Sequence, residues 1–390
     1  MSSRMEFVER AKKGENISSL CREFGISRTT GHKWQKRFKE KGYEGLEDES
    51  RRPKGVPLAT GEELVMAVLE ARDKHARWGP RKLLGLLRRR FAEQTPSERT
   101  IARILRRADR VRERRARRRP NVVDRAPQVH AQRCNEVWTV DFKGWWRARD
   151  GQRCEPLTVR DAFSRYLLAV QQCRTTTGAV REVFERLFAR HGVPEAIQCD
   201  NGTPFVSVHA RGGISQLSAW WLSLGIRLVR SRPGCPQDNG GHERMHVDLA
   251  GDLQSSPAAT HDAQQRELDR WRQEFNHVRP HDALAGKTPA EVYKPTEKRK
   301  PVERPFAYAA PLRVVRVHSA GTFAWCGSKY FLGLPLRGQE VGVEAVDPLH
   351  VRVWLRDIDL GTVEIAPAVS DAAYEQVQQP KKRRNTPKAA

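Results

Sequence analysis

The chain has 390 residues, 38% of them hydrophobic, and a net charge of +24. That length exceeds one ordinary domain, and a charge of this size points to nucleic acid as partner rather than to a merely soluble basic protein. The seven cysteines form no close pair, against a zinc knuckle or disulfide framework, and the chain has no apolar leader and no apolar run of about 18 residues, so the expectation is a soluble, cytoplasmic protein with no membrane partner.

Residues 1–46 read as a helix-turn-helix DNA-binding domain. Ile17, Leu20, Cys21 and Phe24 repeat at i, i+3, i+4, i+7 and make one apolar helix face. Gly25 breaks that helix, Ile26 plugs the turn and Ser27 is an N-cap candidate. The next helix, about Arg28 to Lys39, keeps Trp34 and Phe38 for a core and leaves Arg28, Thr29, His32, Lys33 and Lys36 polar. The first residues of such a second helix reach base edges, so these five are candidate DNA contacts. The alternative is a helical hairpin with a solvated basic face.

A charged, Gly/Pro-containing linker follows at 47–57, and residues 58–120 read as a second basic helical domain. Its last helix, announced by Pro96-Ser97-Glu98, carries Ile101, Ile104, Leu105 and Ala108 on one face and Arg99, Arg103, Arg106, Arg107 and Arg110 on the other. Eleven arginines lie between Arg99 and Arg119, against Asp109 and Glu113 alone. A solvated helix mixes signs, so phosphate contact is the better reading of the arginine face. Trp78 reads as core.

Residues 130–293 hold three carboxylates in separate contexts: Asp141 after Trp138-Thr139-Val140, Asp200 after Gln198-Cys199, and Glu243 in a helix-capable segment after Pro233-Gly234-Cys235-Pro236. The surrounding pattern predicts strands at Val137–Phe142, Leu157–Val159 and Tyr166–Val170, a helix over Thr175–His191, a strand at Ala196–Cys199, a helix over Ser215–Leu224 and a strand at Arg227–Arg230. Periodicity alone gives an α/β class. Three hard-oxygen ligands on separate elements can hold two Mg²⁺ ions against a phosphodiester, with Mn²⁺ as a substitute. A fourth carboxylate, Asp161, sits in Arg160-Asp161-Ala162-Phe163-Ser164-Arg165 and reads as a turn cap or a partner of Arg165. His242 reads as a neighbour of the site.

Residues 306–368 alternate apolar and polar, clearest at Leu349, Val351, Val353 and Leu355, and predict a small all-β, barrel-like domain. Residues 369–390, with Lys381-Lys382-Arg383-Arg384, read as a disordered basic tail.

The three carboxylates, with Asn-Gly-Thr-Pro-Phe after Asp200, Asn239-Gly240 before Glu243 and Phe275-Asn276-His277-Val278-Arg279-Pro280-His281 downstream, resemble the DDE motifs of the retroviral-integrase superfamily as carried by bacterial insertion-sequence transposases. The segment Trp78-Gly79-Pro80-Arg81-Lys82-Leu83 is similar to the second helix-turn-helix of such transposases. The resemblance implies a mixed-sheet, ribonuclease-H-like core between N-terminal all-α modules and a small C-terminal β domain. It further implies metal-dependent cleavage and strand transfer on double-stranded DNA bearing terminal inverted repeats, by a homodimer or higher multimer. Asp141, Asp200 and Glu243 become the catalytic and metal-binding set, and Asn201, Asn239 and Arg244 join the DNA contacts.

Two departures stand out. The interval from Asp200 to Glu243 is longer than usual, and Val206–Ile214, with Gly212-Gly213, is expected to be a surface insertion. Retroviral integrases place lysines one and two turns after their Glu; here those positions are Val247 and Ala250, leaving Arg244 or His246 for that DNA contact. The rival readings are a non-catalytic DNA-binding regulator and a nuclease of the ribonuclease-H class.

Overall fold

The computed structural model describes residues 3–48, 60–111, 130–232, 235–297 and 300–366, which fall into two compact units, Met1–Gly61 and Glu62–Ala390. The basic tail at 369–390, the arginines at 112–119 and the Pro233-Gly234 turn lie outside the described residues.

The first unit is three helices, α1 (Ser3–Lys12), α2 (Ile17–Glu23) and α3 (Arg28–Lys41). Asn16 caps α2 by accepting from the Ser18 and Ser19 amides, and Ser27 caps α3 by accepting from Thr30 N. Gly25 turns the chain between them at φ 63°. Phe7, Val8, Leu20, Cys21 and Leu46 form the core, with Ile17, Phe24, Ile26, Trp34 and Phe38 packed against it. Gly31 sits mid-helix, where glycine costs roughly 1 kcal/mol; a Cβ there would lie 2.6 Å from Cys21 Sγ and 2.9 Å from Phe7, so the close helix contact excludes any side chain.

The second unit opens with α4 (Glu62–Lys74), α5 (Pro80–Phe91) and α6 (Glu98–Arg107) around Val68, Trp78, Leu83, Leu87, Ile101 and Leu105. Trp78 is core, stacked on His75 with centroids 4.0 Å apart. This bundle is tied to the C-terminal part of the same unit: His75 Nδ1 lies 3.0 Å from Glu274, Arg89 donates to Glu291 at 2.8 Å, and Gly85 faces Pro280 too closely for a Cβ.

Next come β1 (Val137–Phe142), the small hairpin β2 (Trp146–Arg147) and β3 (Arg153–Cys154), β4 (Pro156–Asp161), β5 (Leu167–Gln172), α7 (Thr177–His191), β6 (Ala196–Cys199), α8 (Gln216–Ser223), β7 (Arg227–Arg230), α9 (Gly240–Leu249), α10 (His261–His277) and α11 (Pro289–Val292). The five-stranded sheet runs β5-β4-β1-β6-β7. β5, β4 and β1 pair antiparallel, and β1, β6 and β7 pair parallel. The mixed α/β core therefore has the strand and helix order expected from the sequence. On one face of the sheet α7 and α8 pack through Val180, Phe184, Phe188, Leu217 and Trp221; on the other α9 and α10 pack through Met245, Leu249, Leu268, Trp271 and Phe275. Asn276, in the downstream signature, both accepts from Leu167 N (2.8 Å) and donates to Leu167 O (2.9 Å), so it covers the open edge of β5 as a strand would.

The C-terminal strands are β8 (Arg313–Arg316), β9 (Thr322–Trp325), β10 (Ser328–Phe331), β11 (Glu340–Asp347), β12 (His350–Leu355) and β13 (Ile358–Glu364). They form a four-stranded antiparallel sheet, β13-β12-β11-β8, and a separate β9-β10 hairpin over a shared core, rather than a closed barrel. Val351, Val353 and Leu355 face that core, while Leu349 is exposed in the preceding turn.

Val206–Ile214 is not the free surface loop expected. Its ends bridge to each other, Ile214 is fully buried in the C-terminal β core, and Arg211 donates to Thr362 O at 2.7 Å. A Cβ on Gly212 would touch Leu360 at 2.9 Å. The glycines do make a turn, but Ile214 packs into the C-terminal β core, while Val206 at the other end belongs to the core of the five-stranded sheet.

Candidate active site

Sheet register places the first two carboxylates. β1 and β6 are parallel neighbours with Val140 opposite Cys199, so Asp141 and Asp200 follow at the same end of adjacent strands. The third comes from the opposite layer: Glu243 is exposed in the first turn of α9, and Asn239, at the N-cap position, donates Nδ2 to Asp141 Oδ2 at 2.9 Å. Burial pushes the Asp141 carboxyl up to about 7, the charges of Asp200 and Glu243 add to this, and the Asn239 hydrogen bond opposes it. Among the described residues no Lys or Arg is paired with Asp141, Asp200 or Glu243. Acids without a counter-charge suit a hard cation. Asp200 and Glu243 lie near enough to act on the Asp141 carboxyl, while the group with ligand atoms within 4.8 Å of one another, among the described residues, is Asp141, His242 and His246.

A second layer lies beneath Asp141. Thr158, opposite it on β4, donates its hydroxyl to Asp141 O at 2.9 Å, and Thr158 Oγ1 also lies 3.1 Å from His242 Nδ1 and 2.9 Å from His246 Nε2. The other nitrogen of His242 lies 2.7 Å from Thr139 Oγ1, and that ring is fully buried. Burial holds His242 neutral, well below the ordinary histidine range. His246 is pushed down to about 3 by burial, then by the positive charges of Lys143 and Arg160. The guanidinium of Arg160 fills the place a Cβ on Gly241 would occupy, so the α9 terminus lies directly against β4.

The remaining candidates separate clearly. Asp161, fully buried, accepts from Asn135 N (2.7 Å), Ser164 N (2.8 Å) and Ser164 Oγ (2.5 Å) and so caps its turn. Asn201 donates to Ser231 O at 2.9 Å and ties the Asp200 loop to the end of β7. Arg244 is exposed and 3.6 Å from Asp248, which also pairs with buried Arg279. His246 turns inward to Thr158 and is not presented to solvent as a replacement for the viral lysine would be. On α3, Arg28, Thr29, His32, Lys33 and Lys36 are all exposed; Arg28 donates to Ser18 Oγ at 2.8 Å and Lys36 is 3.9 Å from Glu40. Arg99, Arg103, Arg106 and Arg107 are exposed on α6. Arg110 lies beyond the helix end and pairs with Asp73 at 3.0 Å, so it belongs to a brace onto α4 rather than to the helical arginine face. Sequence reasoning missed the inward role of His246; its signal was the spacing, i+3 from Glu243 and i+4 from His242, which puts all three on neighbouring positions of one helix.

Residues 131–236 and 224–289 each match an Integrase core domain family, residues 3–54 a Helix-turn-helix domain and residues 30–105 a Homeodomain-like domain. The insertion element IS476 39.2 kDa protein of Xanthomonas euvesicatoria is 28% identical over 250 residues, 63% of this chain and 69% of that protein. The insertion element IS407 31.7 kDa protein of Burkholderia multivorans is 26% identical over 280 residues, 71% of this chain and 90% of that protein. The HTLV-2 integrase catalytic core, solved with magnesium, aligns with 42% of this chain and 100% of its own at 16% identity and a TM-score of 0.31. An integrase core behind helix-turn-helix modules defines a polynucleotidyl transferase of the DDE transposase/integrase class. More narrowly, the integrase core, the helix-turn-helix segments before it and the two insertion-element relatives support a bacterial insertion-sequence transposase. None of the described helices is long and apolar enough to cross a membrane.

Proposed function

We propose that this transposase binds the terminal inverted repeats of its element and catalyses 3′-end cleavage followed by strand transfer, with Asp141, Asp200 and Glu243 as catalytic metal ligands. The observation that carries the reading is the meeting of two adjacent parallel strand ends with the first turn of α9, with no Lys or Arg among the described residues paired to any of the three acids. These residues would hold two Mg²⁺ ions, with Mn²⁺ as substitute, which would supply activation of the attacking oxygen and charge neutralisation at the leaving one. Asp141, Asp200 and Glu243 would hold the ions, and Asn239 would orient the Asp141 carboxylate. Water opens the phosphodiester at the element end and leaves a 3′-hydroxyl. That oxygen then bonds to a target phosphorus as the bond to the target 3′-oxygen breaks. One phosphodiester replaces another, so ATP is not required, and the chain has no GxxxxGK[ST] motif.

The division of labour follows the predicted domains. Residues 1–46 read bases through Arg28, Thr29, His32, Lys33 and Lys36, residues 58–120 hold phosphates through Arg99, Arg103, Arg106 and Arg107, and residues 130–293 do the chemistry. The 306–368 domain assists DNA binding or assembly. Joining two element ends requires at least two subunits, and the working place is bacterial DNA in the cytoplasm. The test is a duplex bearing the element's terminal repeats, incubated with Mg²⁺ and a target duplex. Cleaved and joined products are expected; cleavage of RNA/DNA hybrid without joining would instead assign the ribonuclease-H class, and binding without either product a regulator.

A further inference from the structure

The geometry points to His246 as a nitrogen ligand of the ion held by Asp141, which would make this metal centre a mixed carboxylate–imidazole site rather than an all-oxygen one. The inference rests on the proposed metal role of Asp141.

The hydrogen bonds around Thr158 fix the ring. The single proton of the Thr158 hydroxyl goes to Asp141 O, which can only accept. Thr158 Oγ1 therefore accepts from His246, so His246 carries its proton on Nε2. The lone pair of His246 is then on Nδ1, and Nδ1 lies 3.8 Å from Asp141 Oδ2. That distance is too long for a hydrogen bond in any protonation state. Two acceptor atoms facing each other at this range repel unless something positive lies between them, and first-row ions sit about 2 Å from each such ligand atom. Asp141, His242 and His246 can bring one ligand atom each within 4.8 Å of one another. His242 is excluded as the ligand because both its nitrogens are taken by Thr139 and Thr158. His246 has one nitrogen anchored and one directed at the carboxylate, the arrangement in which a ligating imidazole is oriented by the bond its other nitrogen makes. Its side chain is 12% exposed and that of Asp141 17%, so the position is shielded yet reachable.

Mg²⁺ prefers oxygen and Mn²⁺ tolerates imidazole better, so His246 should tilt the centre toward Mn²⁺. The test uses the full chain, labelled with ¹⁵N only at histidine and loaded with Mn²⁺, and reads pulsed EPR. The wild type should show a directly coordinated ¹⁵N coupling. His246→Gln, whose amide nitrogen takes the place of Nε2 and can still donate to Thr158, should lose that coupling and bind Mn²⁺ roughly tenfold to a hundredfold more weakly. Its Mg²⁺ affinity should fall much less. Folding of the variant is checked by its thermal transition. Absence of histidine coupling in Mn²⁺-loaded wild type, or its persistence in His246→Gln, would overturn the assignment while leaving the carboxylates as ligands. Mn²⁺ binding that survives Asp141→Asn unchanged would instead sink the underlying metal reading.

Discussion

In the helical unit at the start of the chain, the side chains proposed to contact DNA stand on the outside of α3; in the integrase-like core, Asp141 and its neighbours are held inward by hydrogen bonds from Asn239 and Thr158. The difference follows from what each must hold. A duplex is larger than the unit that reads it, so its contacts need only reach and charge. An ion needs converging acceptors that folding holds in place against burial and mutual repulsion, and these two, burial first, raise the Asp141 carboxyl. Changes to the first region should therefore give graded losses, and changes to the second all-or-none ones.

The sharpest break would come from the acids. Asp141→Asn, Asp200→Asn and Glu243→Gln should each lower strand transfer by at least about a thousandfold while gel-shift affinity for the terminal repeat is largely kept. Asp161→Asn is the control within the same sheet. It should lose about 1–3 kcal/mol of stability by denaturant titration, because one of its buried bonds loses an acceptor, and keep measurable catalysis. An inactive but folded Asp161→Asn would move the boundary between structural and catalytic acids.

Next in size is the strap from the core to the C-terminal sheet. Ile214→Ala should cost about 2–5 kcal/mol in urea unfolding, and cutting out 206–214 should cost more, since Ile214 is fully buried among C-terminal residues. Unchanged stability would return the segment to a surface loop.

For the N-terminal regions, replacing Arg28 and His32 with Ala should relax sequence preference by about 1–3 kcal/mol, read by competition between specific and random duplexes. Replacing Arg106 and Arg107 should weaken all duplexes alike and reduce the salt slope by about 1 for each phosphate no longer neutralised. A sequence-dependent effect from the second pair would dissolve the distinction between readers and phosphate holders.

The smallest effect is one of pH. The Asp141 carboxyl titrates near 7 in the folded, metal-free protein, above its ordinary 3.8, so it adds stability below about 4 that is lost as pH rises through about 7. A divalent ion must displace that proton. The metal-induced rise in Tm should thus be larger at pH 8 than at pH 5.5, and Asp141→Asn should remove that difference.

Much of the core can be read from the chain because its strands and helices carry strong periodic patterns: Val180, Val183, Phe184, Leu187 and Phe188 mark α7, and the β-branched and apolar run at 137–142 marks β1. The Ser27 cap and Gly25 turn are equally local signals. What is hidden from the sequence depends on partners distant along the chain. Ile214 looks like any loop residue until β13 lies against its segment, and His246 looks like a surface base until Thr158, 88 residues earlier, accepts its proton. Arg110 continues the helical arginine spacing, but α6 ends at Arg107 and Asp73 takes Arg110 instead.

The central claim is that DNA's own 3′-oxygen attacks the target directly, positioned at Asp141, Asp200 and Glu243, without a protein nucleophile. The most direct measurement joins a pre-cleaved element end to a target strand carrying one phosphorothioate of known configuration at the joining position. A single in-line displacement predicts inversion at phosphorus. Retention, the signature of two displacements through a covalent protein–DNA intermediate, would contradict the account.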